Sequence, residues 1–169
     1  LILILVYIGK KEFFPNKNLE TNKELDVVDN SYSSNLIKEV NYISKDSRGN
    51  EYVINAEIGE IDIKNPDIIY LTSVKALINL KNSETIIIKS DYGKYNTKNF
   101  DTIFSKNVNI DYLDKNIKGE YLDFSLEKNL MLISRNIIYT GPENILKADA
   151  MEMNIQTKDT IIYMYEKDK

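Results

Sequence analysis

Four carboxylates recur along the sequence, each directly after a small residue. They are Glu57, Asp91, Glu120 and Asp149, and they follow Ala56, Ser90, Gly119 and Ala148. Carboxylates can serve as general acids and bases, and a close pair of them can hydrolyse glycosidic bonds. The sequence contains no histidine and no cysteine, which disfavours serine–histidine triads, imidazole bases and zinc sites. Any catalysis would therefore depend mainly on carboxylates such as these.

The spacing of the acids indicates a structural repeat. Ser90, Gly119 and Ala148 are 29 residues apart, and Ala56 precedes Ser90 by 34 residues. Two positions before each small residue stands an apolar one, namely Ile54, Ile88, Ile117 and Leu146. Such tandem repeats are typical of stacked or rolled architectures, in which no single copy can bury its apolar face alone. A carboxylate repeated along a scaffold does not build a convergent pair. We therefore predict that the acids face solvent and that the protein is not an enzyme.

Each copy of the repeat predicts β-structure. After the small residue, apolar and polar side chains alternate, which is typical of a strand with one dry face. The breaks "KNPD", "TKNFD", "EKN" and "QTKD" have the composition of turns. No convincing helical periodicity occurs beyond about residue 35. We predict an all-β fold with about a dozen strands of ordinary length.

The apolar phase changes at the small residues. In the second copy Ile86 and Ile88 occupy even positions, whereas Tyr95, beyond Ser90, occupies an odd one. A change of phase within one strand indicates a bulge or a corner. A small residue at such a corner lets two backbones approach each other.

The chain is long enough for one sizeable core, with 169 residues and a net charge of -4. This charge gives no electrostatic case for nucleic-acid binding. Residues 1–9, "LILILVYIG", are apolar but too few to span a bilayer, which takes about 20 residues. They are either a buried strand or the remnant of a transmembrane anchor, and a polar stretch like a tether follows them. We predict an anchor remnant at 1–9, a polar tether at 10–35 and a β domain at 36–169.

The apolar stripes have two interpretations. They are either plain core or the lining of a groove for lipid, in which each buried CH₂ contributes about 0.8 kcal/mol. Methionine and aromatic side chains suit a lining that adapts to several acyl chains. The candidate groove residues are Ile61, Ile63, Tyr95, Phe104, Leu122, Phe124, Leu126, Ile133, Met151, Met153 and Ile155.

An open sheet would also have two free edges. Their unpaired N–H and C=O groups invite a strand from a partner protein. One candidate edge runs from Leu36 to Ile43, and the other is a final strand from Ile161 to Tyr165. The edge residues that we expect to meet partners are Leu36, Val40, Tyr42, Ile161, Ile162, Tyr163 and Tyr165.

From about Val40 to its end, the sequence resembles the LptC family, the inner-membrane component of lipopolysaccharide export. The resemblance lies in the segments "DSRGNEYVINAEIGEID", "IIIKSDYGKYN", "FSKNVNIDY", "IKGEYLDFSL" and "LKADAMEMNIQTKDT", in this order. The apolar start followed by a polar tether adds to it. None of these segments is a catalytic signature.

The resemblance implies a fold, a location and a set of partners. The family fold is an open β-jellyroll of repeated antiparallel strands, called a β-taco, preceded by a single transmembrane anchor in the inner membrane. The main domain lies in the periplasm, has no catalytic activity, and needs no cofactor and no metal. It receives lipopolysaccharide from the LptB–LptF–LptG ABC transporter at its amino-terminal edge. It passes the lipid through an apolar groove to LptA at its carboxyl-terminal edge.

Two other classes of protein remain open. An LptA-like soluble periplasmic bridge would share the repeated sheet but would carry a cleaved signal in place of the anchor. A β-solenoid that binds or cleaves polysaccharide, or a surface adhesin, would also repeat. A solenoid enzyme needs a cluster of acids that do not repeat, and an adhesin favours calcium-binding turns rich in glycine, of which this sequence has only 6.

Overall fold

The described residues form one antiparallel sheet of nine strands, without a helix among them. They come from a computed structural model that describes residues 35–46 and 48–165. The strands are β1 (Leu36–Lys45), β2 (Glu51–Ile61), β3 (Ile68–Asn79), β4 (Ile86–Asn96), β5 (Thr102–Tyr112), β6 (Lys115–Ser125), β7 (Leu130–Thr140), β8 (Ile145–Asn154) and β9 (Thr160–Tyr163). Each strand pairs with the next, so β1 and β9 lie at the two edges. The prediction of an open, all-β jellyroll is confirmed.

Two other expectations concern the amino-terminal segments and the number of strands. The anchor predicted at 1–9 and the tether predicted at 10–35 lie outside the described residues, apart from Asn35. The expected dozen strands become nine in the described part of the chain, since the segments on either side of each small residue belong to one continuous strand. Strands β1–β8 are 10 to 12 residues long for this reason.

One line of interrupted pairing crosses strands β1–β8, and we call it the corner line. On the even-numbered strands it passes through the repeated acids Glu57, Asp91, Glu120 and Asp149. On the odd-numbered strands it passes through residues with positive φ, namely Glu39, Ser73, Lys106, Asn107, Arg135 and Asn136. Non-glycine residues rarely adopt this conformation, so its repetition strand after strand marks a built-in change of direction.

The sheet folds over at the corner line. The rings of Tyr42 on β1 and Tyr95 on β4 have centroids 5.1 Å apart. In a flat sheet these strands would be about 14 Å apart, since neighbouring strands lie about 4.8 Å apart. Tyr52 on β2 and Phe124 on β6 are likewise 6.2 Å apart. We call the parts of β1–β8 on the side of the β1–β2 turn the first arm. The other parts, together with β9, are the second arm.

The corner produces the change of phase that the sequence predicts. On β3 the buried side chains Leu71 and Val74 are three residues apart across the corner line, so the buried parity switches. On β5 the register shifts, and Lys106 and Asn107 together oppose Glu120. This bulge adds one residue, so Phe104 and Val108 are four apart and keep their parity. The shift in β7 repeats this arrangement.

The inner faces of the two arms form the core. Its largest fully buried side chains are Phe104, Ile69, Leu71, Ile86, Ile88, Ile110, Leu122, Met131, Ile137 and Ile155. At the amino-terminal side, two glycines allow the arms to approach each other closely. A Cβ at Gly59 would lie only 2.8 Å from Val40 Cγ2, and a Cβ at Gly93 would lie 3.1 Å from Val74 Cγ2. The corresponding positions of the later repeats hold Leu122 and Met151 instead.

Candidate apolar groove

The space between the arms is filled in its amino-terminal half. Tyr42 contacts Tyr95 and Tyr52 contacts Phe124 across the fold. The cavity enclosed between these rings is about 20 Å³, which has room for little more than one water molecule. A more open cavity of about 380 Å³ lies outside the rings at the turns, where polar and charged side chains make up most of its lining. This half is therefore a packed core in the structure.

The tyrosines of this half lie in a poorly hydrated environment. Burial raises the pKa of Tyr95 to about 12, and the neighbouring Tyr42 adds to the rise. Burial also raises the pKa of Tyr52, with a further contribution from the Asp46 carboxylate that accepts its hydrogen bond at 3.3 Å. Both phenols stay neutral at physiological pH, so the inner surface here carries no charge from them.

The carboxyl-terminal half contains an open cavity of about 320 Å³. It lies between the first arm of strands β5–β8 and the second arm of β8 and β9. Its lining consists of Ile110, Tyr112, Lys115, Ile117, Tyr139, Asn144, Leu146, Met151, Met153, Lys158, Thr160 and Ile162. Eight of these twelve side chains are aliphatic, methionine or tyrosine, as expected of a surface for acyl chains.

The position of the opening follows from the way in which the arms overlap. The first arm of a strand covers the second arm of a strand three or four places further on, as Tyr42 and Tyr52 do. On β5, Tyr112 still reaches Lys158 beyond β8, with 5.2 Å between the ammonium and the ring centre. By this offset the first arm of β6 can meet only the short strand β9, and the first arms of β7 and β8 have no strand opposite them in the described part of the chain. Ile117, Tyr139 and Leu146 therefore border an opening.

Two lysines and no carboxylate belong to the lining of this cavity. The Lys158 ammonium donates a hydrogen bond to the Ile155 carbonyl at 2.7 Å, and burial lowers its pKa. Lys115 is exposed at the rim. Among the described residues the ion pairs are Lys45–Glu51 and Lys98–Asp67, and neither cavity lysine takes part in one.

The predicted groove residues separate into three groups. Tyr95, Phe104, Leu122, Phe124, Ile133, Met151 and Ile155 lie in the buried core, and Ile61, Leu126 and Met153 pack against it. Only Met151 and Met153 line the open cavity. The alternation predicted up to Ile63 is wrong, because β2 ends at Ile61 and Ile63 lies in the following turn with 72% of its surface exposed.

Several lining residues were missed by the sequence analysis. Ile110, Tyr112 and Tyr139 belong to no alternating run that was singled out, although they alternate with polar neighbours at the ends of their strands. Leu146 carried a signal, because it occupies the repeat position of Ile54 and Ile88. Nothing in the turn sequence "QTKD" marks Lys158 as part of a cavity.

The two edges of the sheet lie where the sequence predicts them, with adjustments. In β1, Leu36 is exposed, but Val40 is buried and Tyr42 packs on the core, so these two offer a partner their backbone only. Strand β9 ends at Tyr163, and the predicted final strand is therefore two residues too long at Tyr165. Ile161 and Ile162 are both exposed, while Tyr163 is half-buried.

Strand β9 covers only part of its neighbour. It pairs with Ala150–Met153 on the second arm of β8. Within the described residues, β8 pairs with β7 alone along the first arm, where Ile145 is 72% exposed. The carboxyl-terminal edge is therefore a step, formed by β9 on one arm and by β8 on the other.

The repeated acids lie on the convex side of the fold. Glu57, Glu120 and Asp149 are exposed, and Asp91 is half-buried. The Asp91 carboxylate accepts a hydrogen bond of 2.7 Å from the side chain of Asn107 on the neighbouring strand. Successive acids are two strands apart, about 10 Å along the corner line. The expectation that the acids face solvent is confirmed for Glu57, Glu120 and Asp149, whereas Asp91 is half-buried.

The family of the chain is established by sequence comparison. Within the described part of the chain there is no helix of the length and apolarity required to cross a bilayer. No curated protein matches the sequence. Residues 1–164 match the family model for lipopolysaccharide-assembly, LptC-related proteins. The chain therefore belongs to the LptC family, and its role lies in lipopolysaccharide transport.

Proposed function

We propose that the folded sheet is a passage for lipopolysaccharide, which it receives from the LptB–LptF–LptG transporter and delivers to LptA. The observation that carries this proposal is the apolar cavity of about 320 Å³ at the carboxyl-terminal end of the fold. Leu146, Met151 and Met153 would contact acyl chains there, each buried CH₂ contributing about 0.8 kcal/mol.

The two edges would hold the neighbours of this protein. Strand β1 would join the transporter and the step formed by β8 and β9 would join LptA, in each case by addition of a strand. The exposed Leu36 and Ile161 suit such contacts, because a partner strand would cover them. In this proposal an amino-terminal anchor holds the chain in the inner membrane, and the sheet lies in the periplasm.

The passage would need to open in its amino-terminal half. A cavity of about 20 Å³ cannot hold an acyl chain. Lipid that enters at the amino-terminal side must therefore separate Tyr42 from Tyr95 and Tyr52 from Phe124. Contacts between aromatic rings contribute about 0.5–1.5 kcal/mol each beyond their buried area, a cost that bound lipid can offset.

The geometry of the acids supports a passive role. Paired carboxylates in glycosidases are about 5–9.5 Å apart and flank one bond. The acids of the corner line form an extended row with spacings of about 10 Å, on the face opposite the cavity. We therefore propose a transport function without catalysis and without a bound cofactor.

Photo-crosslinking in intact membranes tests the proposed passage. A crosslinking amino acid at Leu146, which lines the cavity, is expected to capture lipopolysaccharide. The matched control is Lys147, the next residue, whose side chain is exposed on the opposite face of β8. Capture from Lys147 with none from Leu146, in a protein that is folded and supports growth, would contradict the proposal.

A further inference from the structure

The lining of the open cavity contains two lysines, which a surface that binds only acyl chains would not need. Lys158 is partly buried in apolar surroundings, and a buried cation is costly unless it is paired. Its ammonium has three donors, of which one reaches the Ile155 carbonyl. The ring of Tyr112 faces the same ammonium at 5.2 Å. In the described part of the chain no carboxylate neutralises Lys158.

The second cavity lysine lies at the rim of the same opening. Lys115 begins β6, next to the end of β5 that carries Tyr112. With Lys158 it places two positive charges around one apolar cavity of a chain whose net charge is -4. The filled cavity of the amino-terminal half has no charged residue in its lining. An open cavity of about 380 Å³ beside Tyr52 also contains Lys45, Arg48 and Lys98, but Asp46 and Glu127 belong to the same lining. The carboxyl-terminal cavity differs in having two lysines and no carboxylate in its lining.

We propose that Lys158 and Lys115 bind the phosphorylated headgroup of an amphiphile whose acyl chains lie on Met151, Met153 and Leu146. The proposal rests on the proposed function and adds the chemical class of the headgroup and the orientation of the lipid. Lysine binds phosphate as a compact point charge, and an apolar surrounding strengthens that attraction. The headgroup lies at the carboxyl-terminal mouth, and the chains point into the trough.

Isothermal titration calorimetry on the 169-residue chain tests this assignment. The probes are dodecyl phosphate, dodecyl maltoside and inorganic phosphate, each below the concentration at which it forms micelles. We expect dodecyl phosphate to bind about 10- to 100-fold more tightly than dodecyl maltoside, the range given by hydrogen bonds to charged groups. Inorganic phosphate, without a chain, should bind too weakly to measure.

Variants assign the preference to the two lysines. Lys158→Gln should abolish the preference for dodecyl phosphate and leave the affinity for dodecyl maltoside unchanged, whereas Lys158→Arg should retain it. Lys94→Gln is the matched control, because Lys94 is an exposed lysine on β4 outside the cavity. Lys115→Gln should weaken the preference, and its exposed side chain can be changed without affecting the fold.

Each outcome bears on one of the two proposals. Equal binding of both amphiphiles would overturn the headgroup site and leave the apolar passage standing. Equal loss of both amphiphiles in Lys158→Gln would mean a structural role for this lysine, and tight binding of inorganic phosphate would mean a site for free anions. Either result overturns the inference. Failure of every amphiphile to bind would overturn the proposed function and the headgroup site together.

Discussion

The contact between Tyr52 and Phe124 offers a direct test of how the two arms meet. Both side chains are nine-tenths buried or more, and their ring centres are 6.2 Å apart at an interplanar angle of 55°. We expect Tyr52→Leu and Phe124→Leu each to lower the free energy of unfolding by about 1–3 kcal/mol. In the double variant the loss should be smaller than the sum by about 0.5–1.5 kcal/mol, the contribution of an aromatic pair.

Urea unfolding followed by circular dichroism measures the four free energies of this cycle. A control cycle combines Phe124→Leu with Ile162→Ala. Phe124 pairs with Met131, Met131 with Met153 and Met153 with Thr160, so β9 is about 14 Å from Phe124. At that distance the effects should add within about 0.5 kcal/mol. If the Tyr52–Phe124 cycle is as additive as this control, the arms do not meet at these rings and the argument for a closed amino-terminal half fails.

Two further predictions concern the corner and the buried phenol. Gly119→Ala should lower the free energy of unfolding by about 1–3 kcal/mol, because the new Cβ would lie 2.9 Å from Cγ1 of the buried Ile133; an unchanged urea midpoint would mean that Ile133 has room to move. The pKa of Tyr95 is about 12 in the folded chain and about 10 when unfolded. Between these pH values the unfolded chain binds fewer protons, so stability falls as pH rises, by about 2 kcal/mol at pH 12. The variant Tyr95→Phe has no phenol to ionise at this position, so its free energy of unfolding should fall less than that of the parent protein between pH 9 and pH 12. Equal falls in the two proteins would refute the raised pKa of Tyr95.

The corner could be predicted from the sequence because it leaves a local signal. The buried residues Ile86, Ile88 and Ser90 have even numbers, whereas Gly93 and Tyr95 have odd ones. A strand can change the parity of its buried face only by bending or bulging. The repetition of this change with a small residue and an acid indicated one architectural feature shared by all the copies.

The end of β2 was misjudged because turn chemistry overrode the apolar alternation. The Asp62 carboxylate accepts hydrogen bonds from the backbone N–H groups of Lys64 at 2.8 Å and Asn65 at 3.3 Å. This Asx turn ends the strand at Ile61, two residues before Ile63. The sequence "DIKNPD" contains the signal, since Asp, Asn and Pro favour turns.

The division of the inner face into core and open cavity could not be read from the sequence. Phe124 and Met153 belong to similar alternating stripes, yet one packs against Tyr52 and the other lines the opening. The difference depends on which strand lies across the fold, and the offset of three or four strands is a tertiary property. Lys158 became a site candidate for the same reason, through its distance to Tyr112.

The offset between the arms has a consequence for how such a molecule could grow. The second arm of each additional copy of the repeat would lie across the first arm of an earlier copy and cover it. The first arm of the new copy would in turn have no strand across from it. A longer chain would move this uncovered section towards its new carboxyl-terminal end but would not eliminate it. A sheet of this kind therefore keeps an uncovered section whatever its length, and a strand that a partner adds at that end, as proposed above, would cover it.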